Sequence, residues 1–134
     1  MTRNQNIIRQ TFTLRKTERL KSRKIINRLF REGKSFSHFP LRVSYLDNTG
    51  DAANLRVAFS VSNRNFKKAV DRNRIKRLMR EAYRLQKNYL QAILAEKQKS
   101  ISIFILYTDK KLPLFEDMME KMNGALNQLA GLFS

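Results

Sequence analysis

Nine lysines and arginines crowd residues 64–84, RNFKKAVDRNRIKRLMREAYR, against only two acids, Asp71 and Glu81. Positive charge at that density suits a polyanion. Guanidinium forks take phosphate oxygens in pairs, ammonium groups act as point charges, and Asn73 among them can donate and accept at a base or ribose edge. From Asp71 onward the run also carries a helical period: Ile75, Leu78, Met79, Ala82 and Leu85 recur at three- and four-residue steps and form an apolar stripe. At roughly 100° per residue, Arg72, Asn73, Lys76, Arg77, Arg80 and Arg84 fan across the opposite face, with Arg74 and Glu81 on a flank. A charged helix face is ordinarily a solvated one. This face is nearly all of one sign, with few acids placed for i,i+4 pairing, so it repels itself unless something neutralises it.

Hydrolytic chemistry of the chain's own is hard to assemble. A metal-dependent nuclease needs several carboxylates, sometimes with histidine, converging on one or two cations. Here Asp47 and Asp51 sit in a turn-like cluster, Glu116, Asp117 and Glu120 decorate a late helical pattern, and His38 is the only histidine. His38 reads as a half-exposed residue at the entry to a strand. The four glycines form no phosphate-cradling loop, and no ligand spacing suggests zinc. The expectation is therefore no catalytic residue and no metal site in the protein itself.

The whole chain of 134 residues fits one domain with one core. Its 28 Lys plus Arg against 11 Asp plus Glu leave a net charge of +17 and point to nucleic acid or another anionic surface. Two segments carry nearly all of that excess: residues 1–34 hold 11 basic against 2 acidic residues, and residues 64–84 hold 9 against 2. With no cysteine there is no disulfide and no thiolate chemistry, which suits a reducing cytosol. No apolar run approaches the roughly 18 to 20 residues of a membrane span, and the N-terminal stretch lacks a signal-peptide core, so neither a membrane nor secretion is expected.

The elements that must position the basic face follow in order. Residues 1–11 read as a flexible basic arm, and 12–134 as one RNA-binding α+β domain. Ser22 can cap, and Gly33 can stop, a short helix whose apolar side is Ile25, Ile26, Leu29 and Phe30. Leu41, Val43 and Tyr45 alternate as a strand from about Lys34 to Leu46. The cluster Asp47 to Asp51 then reads as a turn, which predicts a hairpin with a second strand carrying Leu55, Val57, Phe59 and Val61. After the basic helix, residues 82–99 can continue helical with Leu85, Tyr89, Leu90 and Ile93 inward. ISIFILY, residues 101–107, is apolar on both alternations apart from Ser102 and reads as a central strand. Pro113 opens a last helix with Phe115, Met118, Met119, Met122, Leu126 and Leu129 on one side, a stripe read as core. The order is helix, two or three strands, long helix, strand, helix: an α+β sandwich on one sheet.

The run RNRIKRLMRE, Arg72 to Glu81, preceded by the strand FSVS and a basic loop, resembles the signature of the protein component of bacterial ribonuclease P. The coarse resemblance extends from about Phe12 to about Leu129. It implies a left-handed strand–helix–strand crossover carrying the basic helix, where chain physics alone predicts a right-handed one. It also implies that the protein does no hydrolysis. In that family a catalytic RNA with bound Mg2+ removes the 5′ leader of precursor tRNA, and the protein is its cofactor in the bacterial cytoplasm, with no obligate protein partner.

By the same resemblance Arg72, Asn73 and Arg74 match the core motif, and Lys76, Arg77 and Arg80 the basic positions after it, all contacting the catalytic RNA. Arg64, Lys67 and Lys68 keep the preceding loop basic, although Asn63 stands where the family commonly has lysine. A cleft between the first helix and one sheet face receives the leader, usually with two aromatics a turn apart. The matching positions here are Ile26 and Phe30, of which only Phe30 can stack on a base. Ser60 or Arg56 on one strand, and Ser44 or Tyr45 on another, are candidates to line it. A ribosomal or other structured-RNA-binding protein without an enzymatic role is the competing reading, separated by which RNA co-purifies.

Overall fold

The computed structural model describes residues 19–47 and 55–133. The expected arm at residues 1–11 and most of the turn-like cluster after Asp47 lie outside them. Ser22 caps α1 (Arg23–Glu32), its Oγ accepting from the Ile25 N–H at 3.3 Å, and Gly33 closes it by donating to the Leu29 carbonyl at 2.8 Å. No other residue fits that stop. A Cβ at Gly33 would lie 2.4 Å from the Leu29 carbonyl oxygen and 2.7 Å from that of Tyr45.

Among the described residues four strands follow: β1 (Lys34–His38), β2 (Leu41–Asp47), β3 (Leu55–Val61) and β4 (Ile101–Tyr107). They stand in the order β1-β2-β4-β3, with β2 antiparallel to both β1 and β4, and β3 parallel to β4. The hairpin expected between the second and third strands therefore does not form. The hairpin that does form joins β1 to β2 across Phe39–Pro40. β4 separates β2 from β3 for a physical reason: apart from Ser102 its residues are apolar on both faces, so it is best placed at the centre, paired on both edges.

Between β3 and β4 the chain crosses over through α2 (Ala69–Gln86) and α3 (Asn88–Glu96), and α4 (Phe115–Phe133) follows β4. The helical stretch expected to run on to Lys99 is broken at Lys87, whose side chain is fully buried. Gln86 braces the break by donating through Nε2 to the carbonyls of Ala82 and Met119, each at 3.0 Å. Leu90 and Leu94 turn inward while Tyr89, expected inward, is 62% exposed.

One sheet face packs on α2, α3 and α4. Val43, Val57, Ile103 and Ile105 meet Ile75, Met79, Tyr83, Met118, Met122 and Leu129 in a single core. Most of the methionine stripe is thus core. Phe115 is the exception, half in water at the start of α4, two residues beyond Pro113. Burial, with Asp109 and Asp117 nearby, pushes the Tyr107 phenol up to about 12, so it stays protonated at neutral pH and donates to the Lys111 carbonyl at 2.8 Å. His38 lies against α4, with a Cβ at Gly124 falling 2.2 Å from its Nε2. Among the described residues the other sheet face carries only α1, seated on β2 and β4 over a small cluster of Leu20, Leu29 and Leu46. Beside α1 the described residues leave that second face open.

Candidate nucleic-acid interface

α2 has an inside and an outside. Ile75, Met79, Ala82 and Tyr83 are fully buried, which fixes the helix's rotation against the sheet. Tyr83 was not in the expected stripe. It sits four residues after Met79 and packs edge-on against Phe59, with ring centroids 5.6 Å apart. With that face committed, Asn73, Arg74, Arg77 and Arg80 are exposed and Lys76 is half-exposed. Arg84 pairs with Glu81 three residues earlier. Among the described residues none of Arg74, Lys76, Arg77 and Arg80 has a carboxylate partner. The intramolecular pair that could have explained Arg74 is thus absent there.

Arg72 is placed differently. Its guanidinium turns back along the chain, and Nη1 donates to the carbonyls of Phe66 at 2.8 Å and Lys67 at 2.7 Å. In the loop it meets, Arg64, Lys67 and Lys68 are exposed while Phe66 is buried against Tyr107.

A cleft of about 190 Å³ opens between α1 and the second sheet face, lined by Leu29, Phe30, Gly33, Lys34, Ser35, Arg42, Ser44, Phe104 and Leu106. Phe30 stands at its edge, 59% exposed, braced edge-on by Phe104 with centroids 4.9 Å apart. Arg42 crosses the cleft wall and donates through Nη2 to Ser35 Oγ at 3.2 Å. Ile26 is half-buried in the small cluster under α1 and does not line the cleft. Ser60 lies on the same sheet face one strand further, registered with Leu106, and Arg56 is further along that strand. Of the alternatives on β2, Ser44 lines the cleft. Tyr45 points to the opposite face, where it packs on Phe36 and Phe133.

Phe104 and Arg42 do not stand out in the sequence as cleft residues. A signal for Phe104 is present, since Ser102 breaks the apolar run and puts residues 102, 104 and 106 on one alternation. Arg42 is visible only as the polar partner of an alternating strand.

Against known proteins, the ribonuclease P family model matches residues 14–130, which covers nearly the whole chain. The chain belongs to the ribonuclease P protein family. A ribonuclease P protein component from Porphyromonas gingivalis is 43% identical over 122 residues, covering 90% of this chain and 89% of that protein. One from Chlorobium phaeobacteroides is 34% identical, covering 87% and 88%. Among solved structures, the ribonuclease P protein of Thermotoga maritima superposes with a TM-score of 0.63 at 27% identity, over 83% of this chain and 96% of that one. The Staphylococcus aureus protein gives 0.68 at 21% identity, over 87% and 98%, and supports the fold. The α+β fold around β1-β2-β4-β3 is thus that of ribonuclease P proteins, components of a ribonuclease that processes tRNA.

Proposed function

We propose that the protein binds the catalytic RNA of ribonuclease P through the outer face of α2 and the loop before it, and the 5′ leader of precursor tRNA through the cleft beside α1. The observation that carries this reading is a group of cations, Arg74, Lys76, Arg77 and Arg80, without acidic partners among the described residues, on a helix whose other side is locked into the core. Such a face keeps its charge available at low reorganisation cost. Asn73, Arg74, Lys76, Arg77 and Arg80, with Arg64, Lys67 and Lys68, meet RNA phosphates and ribose edges.

The protein's own contribution to Mg2+-dependent hydrolysis is binding and electrostatics. Mg2+ is held mainly by the RNA and supplies the charge stabilisation at the scissile phosphate. The cations of α2 offset repulsion between RNA phosphates, which favours the compact RNA at lower Mg2+. In the cleft, the exposed Phe30 ring, held against Phe104, offers a stacking surface to a base, and Arg42 and Lys34 stand where the leader backbone would pass. Ser60 borders the path, and Ile26 supports α1 from beneath.

Because Phe30 is mostly exposed, Phe30→Ala should leave the fold intact. In the holoenzyme it should weaken binding of leader-bearing precursor tRNA by roughly 1–3 kcal/mol, the worth of one stacked base, and leave mature tRNA binding unchanged. Equal losses on both ligands would remove the leader from this cleft.

A further inference from the structure

We infer that Arg72 is a positioning residue, which sets the basic loop before α2 in its RNA-binding conformation rather than meeting a phosphate itself; this rests on the interface proposed above. The first half of that loop has its own fastenings. The Phe66 N–H donates to the Ser62 carbonyl at 3.1 Å, the Arg64 N–H to Ser62 Oγ at 3.2 Å, and Asn65 Nδ2 to the Thr108 carbonyl at 3.0 Å. The second half, where Lys67 and Lys68 stand exposed, is held differently. Lys68 occupies the N-cap of α2 and offers no side-chain cap, so the start of the helix lacks the usual brace. Arg72 ties the loop to the helix in another way, not by accepting a helix N–H as a cap would but by donating two charge-assisted bonds from a single nitrogen to consecutive loop carbonyls.

With Nη1 given to the two carbonyls, the end-on Nη1/Nη2 fork is not available to a phosphate, and only the Nε/Nη2 edge is left. Swinging out to RNA would release both carbonyls and the loop with them. The residue therefore acts through Lys67 and its neighbour Lys68, the part of the loop whose carbonyls it holds.

A double-mutant cycle separates the two roles, using full-length protein and its cognate ribonuclease P RNA over a salt series. In the intact protein, Arg72→Ala should weaken RNA binding about tenfold and flatten the salt slope, because loop cations lose their phosphates. In a background carrying Arg64→Ala, Lys67→Ala and Lys68→Ala, the same change should cost less than about twofold and leave the slope unaltered. A further flattening of about 0.7 in that background would mean that Arg72 meets a phosphate directly, and would overturn the inference. Arg72→Lys keeps the charge but not the planar two-carbonyl brace, and should bind as poorly as Arg72→Ala; wild-type affinity there would also overturn it. If neutralising the three loop residues changes neither affinity nor slope, the loop lies off the interface, and the inference falls because the interface reading has failed, whatever Arg72 does.

Discussion

Replacing Lys76, Arg77 and Arg80 together by alanine should flatten the salt dependence of binding to the catalytic RNA by about two units of log K against log salt, roughly 0.7 for each phosphate left without its cation. Near 0.1 M salt that corresponds to an affinity loss of roughly a hundredfold. The fold should barely respond. Arg77 and Arg80 are exposed, Lys76 is half-exposed, and none has an acidic partner among the described residues, so their removal leaves no buried charge behind. Melting temperature and salt slope, measured on the same variant, thus move independently. An unaltered slope would identify the face as merely solvated.

The opposite face of the same helix should behave in reverse. Ile75 is wholly buried in the main core, where the helix meets the sheet, so Ile75→Ala removes apolar burial and leaves a cavity costing about 2–5 kcal/mol. Denaturant unfolding should register that loss as a lower midpoint. Whatever fraction remains folded should bind RNA with the wild-type salt slope, because no charge has changed. A slope altered by Ile75→Ala, or a stability unaffected by it, would mean that α2 is not oriented by its apolar stripe.

How much of the molecule is legible in the sequence depends on the range over which each feature is fixed. The cap at Ser22, the stop at Gly33 and the two faces of α2 are local: they follow from one residue's hydrogen bond, one close backbone approach and one period. All three are legible. Strand order is not local. The alternation in β2 and β3 marks their buried faces correctly but says nothing of which edge meets which, and proximity in the chain wrongly favours a hairpin between them. ISIFILY does announce a central strand; what it cannot announce is that it inserts between those two. Tyr89 is misplaced because the inward stripe runs through Met79, Tyr83, Lys87, Leu90 and Leu94, and a buried lysine in that stripe follows from tertiary packing rather than propensity. The cleft is legible only in part. Phe30 is marked by the family resemblance and Ser44 only as an alternative to Tyr45, while Phe104 and Arg42 become cleft residues only once β2 and β4 are neighbours. Arg72 stands out as a cation, while its turn back to the Phe66 and Lys67 carbonyls depends on the loop's three-dimensional course.

Cleavage of a leader-bearing precursor tRNA at low Mg2+ tests most directly whether this protein serves a catalytic RNA. Four mixtures suffice: substrate with the purified protein freed of RNA, with the ribonuclease P RNA, with both, and with neither. Only the mixture of both should release the 5′ leader efficiently, with the RNA weak by itself at that Mg2+ concentration and the protein inert. Leader release by the RNA-free protein, or a rate with both components no greater than with the RNA alone, would contradict the account.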